Sequence, residues 1–224
     1  MPVESRQSRS LAAAQILSMR RATITLDGEW GQCLGTIDRH GTAMIWGASG
    51  GGKSNGVMML AKELTRFGKV LYLSFEEGFS VSFQNTLRRH GMAECGLRFQ
   101  ALDHCTKQEL NTRLFRKNSP EFVIIDSMQS WGMRVKDYEF LKRQFPNKMI
   151  ILVSRAKGTK PWGDAAEEIL FDVGIKIWVE GGVAFTRGRF FGPTGKAVIW
   201  PEKAFDYYGK LPNEDHSDEE ENQD

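Results

Sequence analysis

Gly47-Ala48-Ser49-Gly50-Gly51-Gly52-Lys53-Ser54 follows directly on the apolar run Ala43-Met44-Ile45-Trp46. The eight residues fit G-x-x-x-x-G-K-[ST], with an apolar strand before them and a helical pattern after them. A strand that runs into a glycine-rich turn and then opens a helix aims free backbone N–H groups and the positive end of the helix dipole at an anion. Each residue type has a task. The glycines let the backbone wrap phosphate oxygens, Lys53 reaches the β- and γ-phosphates as a point charge, and the Ser54 hydroxyl stands where Mg²⁺ is held. The stretch predicts an α/β domain whose loop, Gly47, Ala48, Ser49, Gly50, Gly51, Gly52, Lys53 and Ser54, takes a nucleoside triphosphate, ATP, together with Mg²⁺.

Moving outward, residues 56–67 place Val57, Leu60, Ala61 and Leu64 at helical spacing, and Gly68 stands where a helix stops. Lys69-Val70-Leu71-Tyr72-Leu73-Ser74-Phe75 then reads as a buried strand ending at Glu76-Glu77 and the breaker Gly78. Helices are expected over 81–90, 107–117 and 135–145, with strands over 97–102, 122–126 and 149–154. A basic, glycine-containing loop is expected over 155–162. The segments 173–179, 183–186 and 197–200 read as strands, the last two as a hairpin around residues 187–195. Strands alternating with helices predict a mostly parallel central sheet with helices on both faces and an antiparallel hairpin at one edge. Before residue 42, residues 11–19 read as a short amphipathic helix and Gly28-Glu29-Trp30-Gly31 as a turn.

A chain of 224 residues suits one domain with tails. The predicted division is a basic N-terminal segment, 1–25, a catalytic domain, 26–211, and an acidic tail, 212–224, expected to be disordered. The tail carries seven carboxylates and no Lys or Arg, so it is −7; with the whole chain at +2, the remaining body is +9. Two readings of the tail stand: a solubilising end, or a competitor for a polyanion at the basic body. Three cysteines and four scattered histidines show no spacing for a disulfide framework or a zinc site. No apolar run approaches the length of a membrane span, and the start is polar without a signal-peptide core. A cytoplasmic, reducing setting with no membrane partner is expected.

In-line attack of water on a γ-phosphate needs a metal, a group that orients or deprotonates the water, and a cation at the developing charge. Asp126 ends the apolar strand Phe122-Val123-Ile124-Ile125 and is the expected partner of Ser54 at the metal. Glu76 or Glu77 would supply the base. In the loop beyond 154, Arg155, Lys157 and Lys160 offer charge for phosphates and Trp162 a ring on which a base can stack, a way of holding single-stranded DNA. Trp30, Trp46, Trp131 and Trp178 read as packing residues.

These stretches, in the order P-loop, Leu71-Tyr72-Leu73-Ser74-Phe75-Glu76-Glu77, and Val123-Ile124-Ile125-Asp126-Ser127-Met128-Gln129-Ser130, resemble the RecA-like ATPases. Within them the likeness is to the RadA/Sms branch, with kinship to DnaB-type helicases and KaiC. The resemblance implies that Glu76, the first carboxylate after the second strand, activates water. It implies that 154–181 runs from a strand-end sensor through a DNA-facing loop to the next strand. Arg187-Gly188-Arg189-Phe190-Phe191-Gly192 resembles the Lys-Asn-Arg-Phe-Gly signature of RadA, which makes Arg187 and Arg189 candidate fingers to the ATP of a neighbouring subunit. A homo-oligomer, ring or filament, acting on single-stranded DNA in recombination, repair or replication is implied. A KaiC-like regulatory or adaptor ATPase without DNA binding is the alternative. The sequence departs from RadA at the four-cysteine zinc finger and the protease-like domain, which it lacks, at Arg187 for Lys, at the extra Phe191, and at Ser154 for His or Gln.

Overall fold

A computed structural model describes residues 10–211. The acidic stretch 212–224 and the first nine residues lie outside it.

The elements that build the domain alternate as expected. β3 (Gly41–Gly47) enters the glycine-rich turn and α3 (Lys53–Leu64) leaves it. β4 (Val70–Ser74), α4 (Val81–Arg89), β5 (Phe99–Leu102), α5 (Lys107–Leu114), β6 (Phe122–Asp126), α6 (Val135–Gln144) and β7 (Met149–Lys157) follow. The chain then forms β8 (Lys160–Pro161), α7 (Asp164–Asp172), β9 (Ile175–Glu180), β10 (Val183–Thr186), β11 (Lys196–Val198) and α8 (Pro201–Tyr208). Ahead of β3 lie α1 (Ala13–Leu17), β1 (Thr23–Thr25), α2 (Gly28–Leu34) and β2 (Thr36–Asp38).

The main sheet has the order β11-β10-β9-β3-β7-β6-β4-β5, with β8 paired to β7. β9, β3, β7, β6, β4 and β5 run parallel; β10 and β11 continue the sheet antiparallel at one edge, as the sequence predicts. From β3 the chain crosses over two strand positions to reach β4, then returns to fill them with β6 and β7. The P-loop thus opens at the carboxyl end of a central strand where chain direction through the sheet reverses, the place where open α/β sheets bind ligands.

Alternation inside single strands splits the core into two layers. In β6, Phe122 and Ile124 face α2, α3 and α4 with Val57, Leu64 and Tyr72, while Val123 and Ile125 face α5, α6 and α7 with Leu110, Leu141 and Ile169. Period-two side chains on a strand covered on both sides give the near-continuous apolar runs seen in the sequence.

Four local expectations need correction. Gly28-Glu29-Trp30-Gly31 is not a turn but the start of α2, whose Trp30, Cys33 and Leu34 are buried. A Cβ on Gly31 would lie 2.5 Å from the Leu26 carbonyl oxygen, so this glycine permits close packing rather than a bend. Residues 155–162 are not an irregular loop: β7 extends to Lys157 and pairs antiparallel with β8 across Gly158-Thr159. The strand expected from residue 97 begins at Phe99, after a 3₁₀ segment, Met92–Arg98. The N-terminal helix spans five residues and buries none of them.

Candidate active site

The P-loop conformation rests on its glycines. Gly50 and Gly52 have φ of 70° and 104°, open only to glycine without strain. A Cβ on Gly47 would meet the Val179 carbonyl oxygen at 2.3 Å. The loop is also held from outside. Gly182 N–H donates to the Gly51 carbonyl at 3.1 Å, while the Gly182 carbonyl accepts from Ile199 N–H at 2.9 Å and Trp200 N–H at 3.0 Å.

The loop forms one wall of a cleft of about 400 Å³ whose lining includes Ser49, Lys53, Ser54, Glu76, Glu77 and Asp126. Backbone pairing across the sheet sets the acidic wall. Ser74 lies opposite Asp126 in the β4–β6 ladder, and Phe75 N–H and Glu76 N–H both donate to the Asp126 carbonyl, at 2.7 and 3.1 Å. The turn bearing the two glutamates is therefore tied to the strand end bearing the aspartate. Ser74 Oγ closes that turn by donating to the Gly78 carbonyl at 3.0 Å.

Electrostatics in the cleft follow from burial. Lys53 Nζ donates to the Ala48 carbonyl at 2.9 Å; burial lowers its pKa, opposed by Glu76 and Asp126. Burial pushes the Asp126 carboxyl up to about 6, against a hydrogen bond from the Tyr72 hydroxyl, with Glu76 and Glu77 adding repulsion. Lys53 opposes the rise. Ser54 Oγ donates to Glu77 Oε1 at 3.4 Å, so the two predicted metal groups and a glutamate share the cleft. Among the described residues no cluster of His, Cys, Asp and Glu could hold a metal alone. A cation carried in on a triphosphate supplies most of its own oxygens, and the hydroxyl of Ser54 with the carboxylate of Asp126 is an all-oxygen set suited to Mg²⁺.

The glutamates differ. Glu77 lies against Ser54, whereas Glu76 Oε2 sits 3.5 Å from Arg155 Nε. That ion pair joins two sites that the sequence treats separately, because Arg155 belongs to the β7–β8 hairpin. Its guanidinium also lies 5.9 Å from the Trp162 ring centre and donates to Ser130 Oγ at 3.3 Å. Lys160 Nζ is 3.8 Å from Glu167 Oε2, and Lys157 is exposed. Gln129, singled out by no sequence signal, links the ends of β6 and β7: its Nε2 donates to Ser154 Oγ at 2.7 Å and to the Trp162 carbonyl at 2.8 Å.

Arg187 and Arg189 are not brought to this cleft within the chain. Arg187 N–H donates to the Lys176 carbonyl at 2.7 Å, toward the start of β9, whereas the P-loop end of β3 pairs with Val179. The Arg187 guanidinium rests 5.0 Å from the Trp178 ring centre, and both arginines are exposed. The four tryptophans read as packing residues do pack: Trp30 is buried, Trp46 Nε1 donates to the Thr159 carbonyl at 2.9 Å, Trp131 stacks on Phe75, and Trp178 meets Phe185. Asn55, Arg89 and Trp200 also line the cleft; none carries a motif, and only the fold reveals them.

No protein-family model matches the sequence, and no curated protein matches it. Solved structures do resemble it. The KaiC-like protein PH0186 of the hyperthermophilic archaeon Pyrococcus horikoshii OT3 matches with a TM-score of 0.54 and 18% identity, over 80% of this chain and 98% of that one. A second solved structure, an ATPase domain, matches with a TM-score of 0.50 and 14% identity, over 71% of this chain and 81% of that domain. Together with the sheet order and the loop at the end of β3, these likenesses show that the chain has the RecA-like P-loop fold.

Proposed function

We propose that this chain is a Mg²⁺-dependent ATP hydrolase that works as a homo-oligomer and acts on single-stranded DNA in recombination, repair or replication, nearest in its motifs to the RadA/Sms branch. One observation carries the hydrolase reading: Lys53 and Ser54 face Asp126 and the two glutamates across a single cleft closed by the P-loop. The loop N–H groups and Lys53 hold the β- and γ-phosphates, and Ser54 with Asp126 holds the metal. Mg²⁺ held by Ser54 and Asp126 would neutralise negative charge on the phosphates. Glu76 takes a proton from water as the water oxygen bonds to the γ-phosphorus. The bond from that phosphorus to the bridging oxygen breaks, leaving ADP and phosphate. Arg187 and Arg189, exposed and away from the chain's own cleft, are assigned to the nucleotide of a neighbouring subunit.

DNA contact rests on the hairpin residues Arg155, Lys157, Lys160 and Trp162 and on the +9 body. Likeness to a KaiC-like protein over nearly its whole length supports a second reading, an adaptor ATPase whose nucleotide state governs another protein without DNA. ATPase assays with and without single-stranded DNA, beside size measurement with and without ATP, separate the two. Stimulation by DNA with ATP-dependent assembly is expected; assembly and turnover indifferent to DNA would select the adaptor.

A further inference from the structure

β4 is buried on both faces, and only two of its side chains, Tyr72 and Ser74, carry a polar atom. Ser74 closes the glutamate turn; Tyr72 has no such local use. It is 1% exposed, with its ring 5.6 Å from that of Phe83 on α4 and 6.2 Å from that of Phe99 on β5. A phenylalanine would fill the same space without a hydroxyl, whose burial costs free energy unless it is hydrogen-bonded. The Tyr72 hydroxyl makes a single hydrogen bond among the described residues, and that bond goes to Asp126 Oδ2.

Sheet register brings the two groups together. In the β4–β6 ladder Tyr72 pairs with Ile124 and Ser74 with Asp126, so Tyr72 and Asp126 are diagonal neighbours on one face, within reach of a long aromatic side chain. The tyrosine comes from the core layer beneath α4 and takes one carboxylate oxygen. Asp126 Oδ1 has no hydrogen bond among the described residues, and Asp126 lines the phosphate cleft. A carboxylate with one oxygen held from behind offers a single atom to a cation, or to a water on that cation. That suits Mg²⁺, which is small, demands octahedral geometry and keeps several waters. Ca²⁺ gathers more oxygens at longer distance and readily takes both from one carboxylate.

We infer that Tyr72 is a positioning residue that sets the metal preference of the cleft: by holding Oδ2 it restricts Asp126 to one oxygen and so favours Mg²⁺ over Ca²⁺. The tyrosine touches neither nucleotide nor metal and acts through Asp126 alone. The inference rests on the reading of Asp126 as the metal group of an ATP site, and the test separates the two.

Calorimetric titration of the full chain with ATP in Mg²⁺, in Ca²⁺ and in EDTA supplies that test, using the unaltered protein, Tyr72→Phe, Asp126→Asn and the double variant. The unaltered protein should bind ATP more tightly with Mg²⁺ than with Ca²⁺. Tyr72→Phe should narrow that preference about tenfold, the lower end for a lost partner behind a metal ligand, and leave binding in EDTA unchanged, which reports an intact cleft. Asp126→Asn should narrow the preference by itself, and adding Tyr72→Phe to it should change nothing further. A Mg²⁺-to-Ca²⁺ ratio unmoved by Tyr72→Phe, including one left unmoved by equal losses in all three media, would overturn the role. So would an equal narrowing in the Asp126→Asn background, or an unaltered protein that binds ATP equally with the two cations. If neither cation tightens ATP binding by the unaltered protein, the metal reading itself fails and the inference falls with it.

Discussion

At the scale of single residues, the proposed mechanism divides the cleft into groups that bind and groups that react. Lys53→Ala would remove the cation proposed to reach the terminal phosphates while leaving the backbone cradle, and should abolish tight ATP binding in calorimetry. Glu76→Gln should keep binding and cut turnover by roughly 10² to 10⁴, the range for a lost general base. Loss of turnover in Glu77→Gln rather than Glu76→Gln would move the base to the residue beside Ser54. Asp126 carries a cost of its own in the nucleotide-free protein. Its folded-state pKa of about 6 lies above the ordinary 3.8, so the stability it lends is present below the ordinary value and lost as pH rises through the folded one. Removing that charge with Asp126→Asn should raise the melting temperature of nucleotide-free protein at pH 8, by up to about 3 kcal/mol of stability at about 1.36 kcal/mol per unit. The gain should shrink as pH falls through about 6 and vanish near about 4.

At the scale of elements, the β7–β8 hairpin carries both a candidate DNA surface and an ion pair to the turn bearing Glu76. The Arg155–Glu76 pair is partly exposed, so it restrains the glutamate by no more than about 1 kcal/mol, roughly fivefold in population. Arg155→Ala should raise turnover without DNA by up to about that factor and weaken stimulation by single strands. Steady-state rates unchanged in both conditions would show that the pair restrains nothing. Legibility also differs by element. β3, α3, β4 and β6 declare themselves because their burial is written in local periodicity, with the P-loop glycines between them. α2 escapes detection because Gly28 and Gly31 look like turn residues, whereas Gly31 is there for close contact with Leu26. The hairpin escapes because β8 is only two residues long, a lysine and a proline. Lys53 and Ser54 can be read from the P-loop motif, and Asp126, Glu76 and Glu77 from their places at the ends of apolar strands. Trp200, Arg89 and Asn55 cannot, because their meeting depends on how α4 and the end of β11 fall around α3.

At the scale of the whole molecule, the separation of Arg187 and Arg189 from their own P-loop bears on assembly. If they complete a neighbour's site, turnover rises faster than linearly with protein concentration, and replacing both by Ala costs about 10³ or more in rate while ATP binding survives. Mixing that double variant with Glu76→Gln should restore partial activity, since some interfaces then pair an intact base with intact fingers. Full activity in an isolated monomer, or no rescue in mixtures shown to co-assemble, would return these arginines to DNA contact or to packing on Trp178.

The hydrogen bonds of Gly182 set where the working protein can be cut. The P-loop, Glu76, Glu77 and Asp126 of the chain's own cleft all lie before residue 130, so a shortened version ending after β9 would keep every one of them. It would nevertheless lack the clasp by which Gly182 grips Gly51, together with the segment that Gly182 holds in turn. Such a fragment, 10–180, should hold tripolyphosphate far more weakly than the full chain even where circular dichroism reports a folded sheet. Its boundary as a machine would then be drawn by a backbone clasp well past Asp126, and a search for minimal versions should begin at α8 rather than at the P-loop.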